Sequence, residues 1–377
     1  MKVISTKAVK TILKKTLKPA LSVGLCVCFT LVLSEYLMPV FDKFALVSAV
    51  VCMPQESFSV MTEGYKTGSE KETESVTVLP ENLGHKEEIK EETSSQSTSS
   101  SAPIERPKDA GNISEYAIKP SKTSSKIIWK DGAAFSNTSS ISNNDILKIL
   151  NNDPVIKLKK NAPQVLIYHT HSTESYEMQD LGWYQKDSAA RTTDQSKNMI
   201  RVGEEIVKKL KEAGIEVIHD KTIYDYPSYN GAYNRSAETV KKYLKKYPSI
   251  TVTLDIHRDA IEQSGGVRVK PTAVINGKKA AQVMIIAGVD DGTMDFKNWR
   301  ENMKFASSLQ VEMEQNYSGL TRAVMVCHRR YNMYLTNNSL LIEVGGHANT
   351  LDEAVYSGDM IGVSLSKVLK EKGKFES

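Results

Sequence analysis

A chain of 377 residues with a formal net charge of +4, its acids and bases interspersed, has no electrostatic signature of a nucleic-acid binder. A hydrophobic fraction of 40% supports a real core and leaves room for one or two domains plus other material. The four cysteines, Cys26, Cys28, Cys52 and Cys327, show no paired zinc spacing, and only Cys327 lies in the C-terminal half, which excludes a disulfide framework.

Residues 1–18 carry six lysines and no acid. Residues 19–41 follow as an apolar run whose acid, Glu35, comes late. About 20 apolar residues span a bilayer as a helix, and the lysines before them belong on the cytoplasmic side. The expectation is a single-pass anchor in the cell membrane with the rest of the chain outside the cytoplasm. A cleaved signal peptide is the alternative, with Val47 and Ala49 as a tolerable cleavage site.

Residues 42–125 are expected to form a disordered tether. "EETSSQSTSSS" has six serines in eleven residues, and the charged stretch before it holds few aromatics. Such composition buries too little apolar surface to offset its ordering entropy. The seventy residues from Glu56 to Ser125 would reach roughly 45–50 Å root-mean-square. Residues 126–161, with a short helical pattern at Asp145–Leu150, are expected to be an entry or accessory segment, and residues 162–377 one domain of common size.

Within that domain Val165–Tyr168 reads as a strand. Met199, Val202, Ile206 and Leu210 form a helical stripe that ends at Gly214. Ile215–Asp220 reads as a strand, Ala232–Tyr247 as a helix and Ser249–His257 as a β-branched strand. The stretch from Val269 to Gly288 reads as two strands around an Asn276-Gly277 turn. Trp299–Tyr317 is predicted helical and Ser339–Gly346 a buried strand; Thr350 and Glu353 announce a capping box before the last helix. The alternation predicts an α/β fold with a mostly parallel sheet and helices on both faces.

In an open α/β sheet ligands gather outside the carboxyl ends of strands. Three of the predicted strands run into residues suited to metal chemistry. The first ends in His169, His171 and Glu174, the third in His257, Arg258 and Asp259, and the last in Glu343 followed by His347. A catalytic zinc takes three N or O ligands and keeps a fourth position open. His171, Glu174 and His257 are the candidate ligands, and Glu343 is the candidate general base. Arg258 joins Glu343 among the catalytic candidates, and Arg258 or Arg268 would suit a terminal carboxylate. His169 is an alternative to His171, as a ligand or as its support, because even spacing puts both on one side of an extended strand. His219 and His328 read as packed or surface residues. A serine nucleophile at Ser172 or Ser175 lacks the Gly-x-Ser-x-Gly elbow, and Cys327 beside His328 has no supporting frame.

"LIYHTHSTESY", "LDIHRDA" and "SLLIEVGGHANTLDEA" resemble the motifs of the stage II sporulation protein P family, membrane-anchored peptidoglycan hydrolases of endospore formers. The resemblance covers about Ala162–Leu369. It implies a fold like that of zinc amidases and carboxypeptidases, and zinc-dependent N-acetylmuramoyl-L-alanine amidase activity with endopeptidase cleavage of stem-peptide cross-links. It also implies a role in septal thinning and forespore engulfment, with stage II sporulation proteins D and M as partners. By motif, His171 and His257 match the family's histidine ligands and Glu343 its acid–base glutamate. The middle ligand falls near Asp194 by analogy with the amidases, while the His-x-x-Glu spacing favours Glu174. A zinc carboxypeptidase acting on stem peptides and a non-catalytic peptidoglycan-binding scaffold are the competing readings.

Overall fold

The computed structural model describes residues 76–77, 104–186 and 190–375. The expected membrane span and most of the expected tether lie outside the described residues. Among the described residues no helix is long and apolar enough to cross a membrane.

The described strands are β1 (Val76–Thr77), β2 (Gly111–Tyr116), β3 (Ile127–Lys130), β4 (Ala133–Asn137), β5 (Ile156–Leu158), β6 (Val165–Tyr168), β7 (Trp183–Tyr184) and β8 (Val217–His219). They continue with β9 (Val252–Gln263), β10 (Val267–Ile275), β11 (Lys278–Ala281), β12 (Val283–Gly288), β13 (Val324–Cys327), β14 (Ser339–Gly346) and β15 (Gly373–Phe375). The helices are α1 (Asn143–Leu150), α2 (Met199–Glu212), α3 (Ala232–Lys246), α4 (Trp299–Asn316) and α5 (Leu351–Lys372). The main sheet runs β3-β4-β13-β12-β14-β9, where β9 meets β6 along its first half and β10 along its last residues.

The sheet is mixed: most of its strand pairs are parallel, as expected, but several are antiparallel. β14, β9, β6 and β8 are parallel neighbours, whereas β12 runs against β14, β3 against β4, and β10 against both β9 and β11. Short connections account for three of the antiparallel pairs, β3–β4, β9–β10 and β10–β11: a turn such as Asn276-Gly277 can only join antiparallel strands. Both residues of that turn have positive φ, 51° and 76°. The stretch predicted as one strand after this turn is two, β11 and β12, separated by Gln282, whose side-chain amide donates to Gly319 O.

Residue alternation along the strands supplies two cores. Val165, Ile167, Leu254, Ile256, Ile342 and Val344 face the core built with α2, α4 and α5. Leu166 and Tyr168 face the opposite way, against Val240 and Ile250, so α3 covers the second face. Helices on both faces therefore agree with the predicted layering. The capping box at Thr350 and Glu353 is formed, with Thr350 Oγ1 accepting from Glu353 N.

The folded part begins earlier than composition suggests. Gly111–Tyr116, within the expected tether, pairs in parallel with β10, and Ala133–Asn137, within the expected accessory segment, pairs with β13. Their partners lie far along the chain, so a local window of composition carries no trace of the pairing.

Candidate functional site

The site is built where β6, β9 and β14 lie side by side. β6 stops at Tyr168 and the chain turns sharply, with Glu174 N donating to His171 O. Asp225 holds this turn: it accepts from Thr173 N at 3.1 Å, from Thr173 Oγ1 at 2.6 Å and from Arg191 Nη1 at 2.8 Å. β9 does not end at His257 as predicted; it continues to Gln263, so His257, Arg258 and Asp259 stand in mid-strand. β14 likewise runs past Glu343 to Gly346, with an irregularity after Glu343. Glu343 and His257 are cross-strand partners in the parallel β14–β9 ladder.

His171, Glu174 and His257 come together here. Glu174 Oε2 lies 3.5 Å from His257 Nδ1, and the rings of His171 and His257 stand 5.3 Å apart, nearly perpendicular. All three are buried. Burial opposes charge on Glu174, but His257 and Arg258 outweigh it and hold its carboxyl below the ordinary range. Burial likewise opposes charge on His257, yet Asp255 and Glu174 raise its pKa well above the usual imidazole value. Burial pushes His171 down to about 3. Glu343 is pushed up to about 8 by desolvation and then by the nearby Asp259.

Several polar atoms here are buried with no hydrogen-bond partner: His171 Nδ1, His257 Nε2 and Glu343 Oε2. His257 Nε2 lies 2.9 Å from Asp255 Oδ1 but off the hydrogen-bond direction. Orphaned buried groups are costly unless something else satisfies them. Two imidazoles and a carboxylate form a donor set that suits zinc, so the residues present fit that ion.

The other predicted residues are elsewhere or do other things. Asp194 is exposed; it accepts from Ser196 N and Oγ and pairs with Lys197 at 3.0 Å. His169 is separated from His171 despite the even spacing, because the chain leaves β6 between them. Its Nδ1 lies 3.0 Å from Ile256 O and its Nε2 2.9 Å from His219 Nε2, on the α2 side of the sheet. The Arg258 backbone N–H donates to Glu174 Oε2, while its guanidinium donates to Ser175 O and Ala190 O. Arg258 therefore braces the turn that carries Glu174. Arg268 lies 3.5 Å from Glu177 and 3.7 Å from Glu262. Cys327 packs in a small apolar cluster with Met284, Ile286 and Leu341, while the His328 ring accepts from Ser140 N.

Four neighbours escaped the sequence reading. Asp255 accepts from Thr170 N and Oγ1; standing two residues before His257 in a strand, it was legible as a same-face neighbour. Asp225 and Arg191 lie in loops with no pattern to mark them. Tyr229 stacks on His171 with ring centroids 4.5 Å apart, its hydroxyl 3.1 Å from Nε2.

One further acidic trio demands comparison. Among the described residues, donor atoms of Glu115, Asp180 and Glu353 all lie within 4.8 Å of one another, as a metal site requires. Lys270 Nζ stands 3.3, 2.7 and 2.8 Å from them. The cation of this cage is the protein's own ammonium, and the trio is not a metal centre.

Residues 51–366 match the family described as stage II sporulation protein P (SpoIIP). The chain belongs to this family. Stage II sporulation protein P of Bacillus subtilis (strain 168) is 32% identical over 212 residues, which cover 53% of this chain and 50% of that protein. The match thus spans about half the length of that family member. Two solved structures superpose on 55% of this chain: the N-acetylmuramoyl-L-alanine amidase AmiC2 of Nostoc punctiforme and the CwlD amidase from Clostridioides difficile in complex with the GerS lipoprotein. The first covers 96% of its own chain at 13% identity and a TM-score of 0.32, the second 98% at 15% and 0.35. Superpositions at this level do not bear on the chemistry.

Proposed function

We propose that this stage II sporulation protein P family member is a zinc-dependent peptidoglycan hydrolase. Its reaction is cleavage of the amide between N-acetylmuramic acid and L-alanine, with endopeptidase cleavage of stem-peptide cross-links at the same site. The observation that carries this reading is the convergence of His171, Glu174 and His257 beside an unpaired Glu343 oxygen.

His171, Glu174 and His257 would hold the ion. When bound, zinc supplies Lewis acidity toward an amide carbonyl and toward water. Glu343, free of a partner at Oε2, takes the proton from the attacking water and returns it to the leaving amide nitrogen. Its raised pKa suits a group that must both accept and donate a proton near neutral pH. Arg191, 3.6 Å from Glu174 and 2.8 Å from Asp225, ties the His171–Glu174 turn in place. A carboxypeptidase reading has less support, because Arg258 and Arg268 are engaged with backbone carbonyls and glutamates respectively.

By the family's setting, the chain would act outside the cytoplasm from a membrane anchor, with stage II sporulation proteins D and M as partners. Mass analysis of digested peptidoglycan tests the chemistry. Free stem peptides are the expected product, with split cross-links beside them. Products that lack only a terminal alanine would sink the amidase reading, and the absence of any product would leave a binding scaffold.

A further inference from the structure

The cage around Lys270 joins three segments of the fold. Glu115 comes from β2, Asp180 from the segment that follows Glu174, and Glu353 from the first turn of α5. Lys270 itself lies on β10 and is 1% exposed. Lys279, on β11, adds a second ammonium to Glu115 and Asp180, both at 3.0 Å.

Glu353 passes this contact on. One oxygen, Oε1, faces Lys270 at 2.8 Å, while the other, Oε2, accepts from Asn349 Nδ2 and Thr350 N. Asn349 Oδ1 then accepts from Gly346 N, at the end of the strand that carries Glu343. Asn349 O accepts from Glu177 N, three residues after Glu174. Gly345 takes φ +68°, and a Cβ there would stand 2.6 Å from Asn349 Oδ1, so this strand exit closes tightly on the amide. Two segments that carry site carboxylates are therefore tied to one buried node.

We infer that Lys270 is a positioning residue for the hydrolytic site: its ammonium, as the resident cation of a three-carboxylate cage, holds the Glu174 segment and the exit of the Glu343 strand in register. The inference rests on the function proposed above, but the cage has a test of its own. Removing the Lys270 ammonium leaves three oxygen donors already spaced for a hard cation, with Lys279 still at the rim on two of them, and calcium is bound by carboxylate oxygens of this kind.

The test uses the full chain in detergent with Lys270→Ala. Calcium is expected to raise the melting temperature of the variant and leave wild type unmoved. Without calcium kcat should fall about 10²-fold, the cost of a misplacement near 1 Å, with KM within about twofold and the zinc content of the histidine site unchanged. Calcium should restore most of kcat. An unchanged kcat in the folded variant would make the cage merely structural, and a melting temperature indifferent to calcium would overturn its description as a cation site. Should Lys270→Ala not fold, Asp180→Asn asks the same question at a half-exposed residue: kcat should drop several-fold with little loss of stability, and an unchanged kcat overturns the proposal. Wild type that cleaves no peptidoglycan refutes the proposed activity, whereas the calcium response of Lys270→Ala still decides the cage.

Discussion

Two clusters in this molecule are made from metal-ligand residue types, and they differ in how complete they are. Around Lys270 three carboxylates converge on an ammonium at 2.7–3.3 Å, and Lys279 adds a second ammonium to two of them, so each acid has a cation beside it. Around His257 two imidazoles and two carboxylates crowd together with orphaned atoms at His171, His257 and Glu343. Spacing alone favours the first cluster as a metal site. The unpartnered atoms favour the second, because three of them belong to neighbouring ligand-type residues, whereas Glu115 Oε1 in the first cluster faces the Lys279 ammonium at 3.0 Å.

The sharpest way to break this contrast is Glu343→Gln. The variant keeps shape and hydrogen-bonding reach but accepts no proton, so turnover should fall about 10²–10⁴-fold while zinc and fold remain. Product analysis and metal content read together check this; normal turnover rejects the role, and loss of zinc makes Glu343 a ligand. Next, His171→Ala and His257→Ala should each strip zinc from the protein, since two remaining ligands hold the ion weakly. Full metal content in both variants would move the site elsewhere.

At the completed cluster the expected effect is on stability. Lys270→Met strips the buried Glu353 of its ammonium, while Lys279 still faces Glu115 and Asp180, and should cost about 3–5 kcal/mol, measured by denaturant unfolding. A loss under about 1 kcal/mol would show the ammonium to be dispensable.

A subtler comparison uses pH in the metal-free protein. Glu343 has its folded pKa raised from 4.5 to about 8, so the folded state holds this proton more tightly than the unfolded chain. The resulting stabilisation is complete below pH 4.5 and is lost as pH rises to about 8. Metal-free Glu343→Gln should therefore show a flatter melting profile than wild type across that window, and parallel profiles would contradict the raised value. The smallest effect is expected at Asp194. Its exposed carboxylate serves a local turn, so Asp194→Ala should leave the melting temperature nearly unchanged and zinc in place.

Much of this was legible in the sequence where the signal is local. The α2 stripe, the Asn276-Gly277 turn and the Thr350 cap each depend on neighbours within a few residues, and all formed near their predicted positions. The convergence of His171, Glu174 and His257 was readable because each lies at or near the end of an apolar run. What stayed hidden depends on distant partners. β9 was cut short at His257 because Arg258 and Asp259 look like a loop. They are buried in a strand because carbonyls of residues 175 and 190 take the guanidinium and Arg322 takes Asp259 at 2.8 Å. β2 was lost in the tether for the same reason, since its backbone partners lie on β10. Asp255 alone was within reach, by the two-residue repeat.

The absent side chain at Gly203 has a mechanical consequence. A Cβ there would stand 2.6 Å from His169 Nε2 and 2.7 Å from His219 Nε2, so α2 gives up helix propensity to let two imidazoles lie beneath it. His169 in turn touches Ile256 O, the carbonyl immediately before His257. The imidazole thus acts as a rivet through the sheet, with its head under a helix on one face and its shank at the backbone that presents His257 on the other. Any methyl added at residue 203 pushes along that line, so packing beneath α2 sets a tolerance on the angle of the His257 imidazole.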